Sequence, residues 1–256
     1  MTPLLETRGL SKTFGGLKAV QNVNLNVAPN QVVSVIGPNG AGKTTFFNCL
    51  SGIYRPETGA ILLDGHDITG RQPHQVCKRG VARTFQNIRL FPEMSVLENI
   101  LVAQFQHRSI SPLQVLLHAP KFRTQEKQCR EEALGYLDFV GLAPYADAVS
   151  SNLAYGLQRR LEIARALATK PRLLLLDEPA AGMNPQEAVE MVQLISRIRE
   201  RGLAILLIEH HMKVVMAISD EILVLDHGTP IAHGTPEKVR NDPHVIRAYL
   251  GEEAQT

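Results

Sequence analysis

The segment Gly37-Pro38-Asn39-Gly40-Ala41-Gly42-Lys43-Thr44 follows the apolar run Val32–Ile36 and leads into a helix-compatible stretch from Thr44 to Leu50. An apolar strand, a glycine-rich turn and a helix in that order build a phosphate cradle. The glycines let backbone N–H groups turn inward around an anion, and the helix N-terminus adds partial positive charge. In such a loop Lys43 reaches the β and γ phosphates, the Thr44 hydroxyl ligates magnesium, and Thr45 stands beside it at the helix start. The chain is therefore expected to bind a nucleoside triphosphate with Mg2+ and to fold as an α/β protein.

A second signal supports this reading. Leu173-Leu174-Leu175-Leu176 runs into Asp177-Glu178-Pro179. Four successive leucines are incompatible with a half-exposed strand, so they predict a central strand of a parallel sheet, and such sheets bind ligands at their carboxyl ends. There Asp177 suits the magnesium shell and Glu178 suits polarisation of an attacking water. Pro179 is expected to hold Glu178 in extended backbone. A solvated acidic turn is the alternative for an Asp-Glu pair standing alone.

The third segment runs from Asn152 to Leu167, shortly before Asp177. Its second half carries apolar Leu161, Ala164 and Leu167 among charges, the period of an amphipathic helix, and Gly156 lies near its start. Phosphate loop, Asp-Glu pair and this intervening segment together resemble the ABC ATPases. The resemblance implies a P-loop NTPase fold of ABC type, with a mixed-sheet core lobe and an inserted helical lobe. It also implies that Ala154, Tyr155 and Gly156 meet the γ-phosphate of a nucleotide held by a partner subunit. The segment departs from the family's Leu-Ser-Gly-Gly-Gln: Ala154 stands for the serine, Tyr155 for the first glycine and Leu157 for the glutamine. A hydroxyl contact is thereby lost, leaving the Gly156 backbone and the helix terminus for the anion.

The resemblance assigns further roles. Phe14 matches the aromatic ring that stacks on adenine, with a core phenylalanine as the alternative. Gln86 matches the glutamine that senses magnesium and links to the membrane partner, with a surface amide as the alternative. His210, after the strand-like run Ala204–Glu209, matches the histidine that contacts the γ-phosphate and orients the water. His211 stands where the family usually has Asp, so the choice between the two histidines rests on counting from the strand. The family's Ser-Ala-Leu-Asp after the catalytic glutamate reads Ala181-Gly182-Met183-Asn184 here. Asn184 is expected at the partner subunit or as the cap of a helix starting near Pro185, and both readings can hold together.

The likeness extends over essentially the whole chain. Phe14-Gly15-Gly16-Leu17, Phe47-Asn48-Cys49-Leu50, Gly80–Gln86, Arg89-Leu90-Phe91 and Pro243–Gly251 resemble the ATPase subunits of bacterial high-affinity branched-chain amino acid importers, in particular the larger of the two. That family implies a second related ATPase, or a second copy, in a sandwich dimer. It further implies two transmembrane permease subunits, a periplasmic amino-acid-binding protein acting indirectly, and a peripheral location on the cytoplasmic face of the inner membrane. An ABC exporter such as the one energising lipopolysaccharide extraction is the alternative. The soluble ABC proteins of DNA repair or translation need a long coiled coil or fused ATPase units, and neither is present.

One ABC ATPase domain is expected over residues 1–256, with a core lobe at about 1–85 and 170–256 and a helical lobe at about 86–169. In the helical lobe Glu126 to Val140 reads as an amphipathic helix, and Arg108 to Lys121 as a looser stretch with two prolines. Leu90, Phe91 and Met94 are expected on an exposed face, as part of a groove for a permease loop, with packing inside the helical lobe as the alternative. A formal charge of +2, with no basic stripe among aromatics, gives no reason to expect a nucleic-acid partner. Cys49, Cys77 and Cys129 are odd in number and lack metal-like spacing, as expected of reduced thiols in the cytosol. No opening segment has a signal-peptide pattern, and no stretch approaches the ~18 apolar residues of a membrane span.

Overall fold

The computed structural model describes residues 2–105 and 120–253, so most of the proline-bearing stretch from Arg108 to Lys121 lies outside the described residues. The chain divides into two compact units, Met1–Gln86 with Arg172–Thr256, and Asn87–Pro171. Gln86 belongs to the first unit rather than the second.

The leucine run Leu173–Asp177 forms strand β7, and all five of its residues are buried. It lies between β6 (Val81–Arg83) and β8 (Ala204–Ile208), parallel to both. Each buried leucine contributes about 1.5–3 kcal/mol of apolar transfer, so solvating any one of them would be costly. On the far side of β8 come β3 (Val32–Ile36) and β9 (Glu221–Asp226), also parallel, and then β10 (Thr229–Gly234), which turns back antiparallel at the edge. The six strands run β10-β9-β3-β8-β7-β6. The parallel strands bring their carboxyl ends to one rim, so the phosphate loop after β3, the Asp-Glu pair after β7 and the histidine pair after β8 start from the same edge.

This six-stranded sheet is the mixed sheet expected of the core lobe, and a second sheet lies in the same unit. Strands β1 (Leu5–Phe14), β2 (Leu17–Val27), β4 (Thr58–Leu63) and β5 (His66–Asp67) form an antiparallel sheet in the order β2-β1-β4-β5. Alternation in β2 explains its role: Val20, Val23, Leu25 and Val27 are buried while the residues between them face outward or are half-buried. Helix α1 (Lys43–Leu50) presents Phe46, Phe47, Cys49 and Leu50 to the core shared by both sheets. Burial pushes the Cys49 thiol up to about 12, which makes it a packing group rather than a nucleophile. Helix α2 (Pro73–Lys78) leads into β6.

The second unit is helical. Helices α3 (Val96–Gln104), α4 (Pro120–Phe139) and α5 (Tyr155–Leu167) pack pairwise, with Ile100, Leu137 and Leu161 fully buried. A capping box starts α3, where Ser95 accepts from the Glu98 N–H and Glu98 accepts from the Ser95 N–H. After β7 the first unit continues with α6 (Pro185–Glu200) and α7 (Met212–Ile218), then closes with α8 (Pro236–Arg240) and α9 (Pro243–Glu253). Among the described residues no helix is long and apolar enough to cross a membrane.

Candidate nucleotide site

The turn from β3 into α1 is built on two glycines that approach neighbouring backbone. Gly37 has φ 147°, and a Cβ there would lie 2.0 Å from the Leu225 carbonyl oxygen. Gly42, the N-cap of α1, has φ 95°, and a Cβ there would lie 2.1 Å from the Ala19 carbonyl oxygen. The loop is thus clamped between β9 and β2, with its amides and the start of α1 facing one pocket. Lys43 is buried and donates from Nζ to the Gly37 and Pro38 carbonyls at 2.6 and 2.8 Å.

A cavity of about 420 Å³ opens here. It is lined by Phe14, by the loop and helix start from Asn39 through Gly40, Ala41, Gly42, Lys43 and Thr44 to Thr45, and by Gln86 and Glu178. That volume lies within the range of small-ligand pockets. Phe14 is not a core residue. It is 41% exposed, its ring set edge-on to Tyr54 at 5.2 Å and beneath the Lys12 ammonium at 4.9 Å. The Lys12 ammonium also holds the Glu57 carboxyl below the usual range. His227 lines the pocket as well, and the sequence did not point to it. It shares the β9–β10 turn with Gly228, both at positive φ, and the Gly228 N–H donates to the Ala41 carbonyl of the loop at 3.1 Å. The Asp226-His227-Gly228-Thr229 pattern between two apolar strands was the available signal.

Asp177 does not line this cavity. Its Oδ2 accepts from Arg83 at 2.8 Å, and both side chains are nearly inaccessible. Arg83 also donates to Asn48 Oδ1 at 2.7 Å and Ser51 Oγ at 2.9 Å, binding β6 and β7 to α1. Breaking such a buried pair by removing one partner costs about 3–5 kcal/mol. Arg83 is a second residue the sequence did not assign. Its only cue was a cation ending an apolar strand.

Glu178 differs from expectation in its backbone. Instead of the extended conformation expected before Pro179, it has φ 47°. The proline disfavours the right-handed helical region at the preceding residue but leaves the left-handed one open to it. The sheet and the following turn select that conformation, since the Glu178 N–H still donates to the Ile208 carbonyl at 2.9 Å while its own carbonyl accepts from Ala181. Left-handed backbone at a residue other than glycine costs of order 1–3 kcal/mol and is concentrated at functional sites. The Glu178 carboxylate, 17% exposed, stands between two groups. Gln86 Nε2 donates to Oε2 at 2.9 Å, and His210 Nδ1 lies 3.6 Å from Oε1. His211 instead faces Glu209, its Nδ1 3.4 Å from Oε2. Of the two histidines, His210 is therefore the one beside Glu178.

The remaining candidate residues lie on other elements. Ala154 is the N-cap of α5, with Tyr155 exposed and Gly156 half-buried in its first turn, where backbone N–H groups have no acceptor within the helix. Beneath them Arg159 is fully buried, paired with Glu162 at 2.9 Å and donating to the Tyr155 hydroxyl at 3.2 Å. Asn184 caps α6 through a full capping box with Glu187, ahead of Pro185 at the first helical turn. Phe91 and Met94 are exposed while Leu90 is half-buried, and the buried Asn99 fixes the Phe91 backbone by accepting from its N–H and donating to its carbonyl.

Comparison with known proteins identifies the family. The ABC transporter family model matches residues 20–181, and a model described as branched-chain amino acid ATP-binding cassette transporter matches residues 229–255. The high-affinity branched-chain amino acid transport ATP-binding protein LivG of Escherichia coli is 54% identical over 98% of this chain and 98% of its own. A lipopolysaccharide export system ATP-binding protein, LptB of Haemophilus influenzae, is 34% identical over 98% of both chains. Among solved structures, MJ1267, an ATP-binding cassette of an ABC transporter in its ADP conformation, superposes with a TM-score of 0.86 at 32% identity, covering 98% of this chain and all of that one. The chain belongs to the ABC transporter family, among its branched-chain amino acid transport ATP-binding proteins.

Proposed function

We propose that this chain binds and hydrolyses ATP to power import of leucine, isoleucine and valine through separate permease subunits, working from the cytoplasmic face of the inner membrane. The observation that carries the catalytic part is the Glu178 carboxylate, bracketed by Gln86 and His210 beside a phosphate loop of the right length and polarity. Phe14 offers its ring to the adenine, and the loop amides with Lys43 take the phosphate charge. Glu178 accepts hydrogen-bonded water and draws on its proton, and His210 holds that water in line. Hydrolysis in this class needs positioning and charge neutralisation rather than a covalent intermediate.

Thr44 and Gln86 line the cavity and Asp177 ends β7 one residue before Glu178; their hydroxyl, carboxamide and carboxylate oxygens are the hard donor set that would suit Mg2+. The Arg83 pairing is compatible with this role, since a carboxylate has about four acceptor positions. Bound there, the cation would neutralise charge on the β and γ phosphates.

The α5 N-terminus, with Ala154, Tyr155 and Gly156, is read as the anion contact for a nucleotide held by a second, related ATPase or a second copy. Asn184 is read at the same dimer face while it caps α6. The branched-chain reading rests on the family and favours two transmembrane permeases and a periplasmic binding protein as partners. Leucine uptake by cells lacking the gene is expected to return with the parent chain and not with Glu178→Gln. Uptake unaffected by the deletion would refute this cargo.

Phe91 and Met94 are read as the floor of the groove for a permease loop, because large exposed apolar side chains on a pinned backbone mark contact surfaces. Phe91→Asp with Met94→Asp is expected to weaken co-purification with the permeases by about tenfold or more, from the loss of roughly 1–3 kcal/mol of apolar burial. ATP binding by the isolated chain should not change. Parent-level assembly would rule out the groove.

A further inference from the structure

Glu209 is the last residue before the histidine pair, and its carboxylate is fully buried. A buried carboxylate needs compensating donors, and Glu209 has three, all of them backbone N–H groups. Its Oε1 accepts from Ala180 at 3.0 Å, and its Oε2 accepts from His210 at 3.0 Å and His211 at 3.2 Å. The His211 ring adds a fourth neighbour, with Nδ1 3.4 Å from Oε2. The donors come from two different segments. Ala180 lies two residues after Glu178, on the turn that holds Glu178 at positive φ, whereas His210 and His211 begin the loop into α7.

We infer that Glu209 is a positioning residue for hydrolysis: its carboxylate ties the turn carrying Glu178 to the backbone of His210 and so sets their separation. This rests on the reading of Glu178 and His210 given above. Sheet pairing alone does not supply the tie, since the β7–β8 ladder ends at Asp177 opposite Ile208, with one further bond from the Glu178 N–H to the Ile208 carbonyl. Beyond that point the Glu209 carboxylate joins the two loops, accepting from Ala180 on one and from His210 and His211 on the other. A misplacement of about 1 Å can cost on the order of a hundredfold in rate, so a tie at this point acts on turnover rather than on nucleotide binding.

Glu209→Gln separates the two arms. Its one carbonyl oxygen can keep the two N–H groups of the histidine pair, which turns its amide N–H groups toward the Ala180 N–H, donor against donor. The assembled transporter carrying this variant is expected to lose about tenfold or more in kcat, while the purified full-length chain binds ATP with a Kd within about twofold of the parent. Hydrogen exchange should rise in the peptide spanning 178–183 and stay at the parent level in β3 and β8. Glu209→Ala strands all three donors and will lower folding stability, so Glu209→Gln and Glu209→Asp, compared at equal folded fraction, carry the test. Parent-level kcat in Glu209→Gln beside an inactive Glu178→Gln would overturn the positioning role alone. A loss of kcat fully accounted for by a smaller folded fraction would also overturn it. A fully active Glu178→Gln would overturn the site reading beneath it.

Discussion

Glu178→Gln is expected to lower ATP turnover by roughly a hundredfold to ten-thousandfold, about 3–5 kcal/mol in transition-state free energy, with ATP binding close to the parent's. The side chains are nearly the same size, and the carboxamide oxygen can still accept from Gln86 Nε2, which donates to Glu178 Oε2 at 2.9 Å in the parent. The variant loses the charge and basicity that a water facing the γ-phosphate requires. In the proposed site, binding falls to other groups that line the cavity, the loop amides, Lys43 and Phe14, none of which depends on that carboxylate. The two effects therefore separate in one preparation, through single-turnover hydrolysis and fluorescent-nucleotide affinity measured side by side. Turnover near the parent rate would remove Glu178 as the base, and His210 would have no carboxylate partner to act with.

The legible part of this site is the part made of short-range rules. The phosphate loop could be read because each of its residue types has a separate task at fixed spacing, and β7 because four adjacent leucines fit few environments. The capping of α6 by Asn184 was legible as one of two readings, since an Asn before a Pro is a local helix-start signal. What was not legible depends on tertiary neighbours. Arg83 meets Asp177 only because β6 pairs with β7, and nothing local forecasts a partner so far along the chain. Glu178 was misjudged for a similar reason. The proline rule removes one backbone region, but the choice among those left is made by Ile208 on the adjacent strand and by the Ala181 turn. Glu209 looked like a strand-end residue, and its burial against three amides becomes visible only when the Ala180 turn lies beside it. The choice between His210 and His211 had the same dependence, since adjacent residues leave a strand on opposite sides and counting does not fix which one meets Glu178.

The second large effect is expected in the loop itself. Gly42→Ala places a Cβ 2.1 Å from the Ala19 carbonyl oxygen at a residue whose φ is 95°. Both the backbone strain and the steric conflict need relief, and β2 gives little, because Ala19 lies next to Val20, which is fully buried. The combined penalty is roughly 2–5 kcal/mol, and the cheapest relief is outward movement of the loop at the start of α1, which would misalign the amides proposed to hold phosphate. The variant should bind ATP at least about a hundredfold more weakly, the equivalent of roughly 3 kcal/mol. It should also melt several degrees lower without nucleotide. Gly40→Ala is the control: its φ is 78°, but an added Cβ there meets nothing within 4 Å, so only the backbone strain remains, about 1–2 kcal/mol. Thermal denaturation of the two nucleotide-free variants compares backbone strain alone with strain plus collision. If Gly42→Ala melts with Gly40→Ala and binds ATP as the parent does, the clamp between β2 and the loop is not what shapes the cradle.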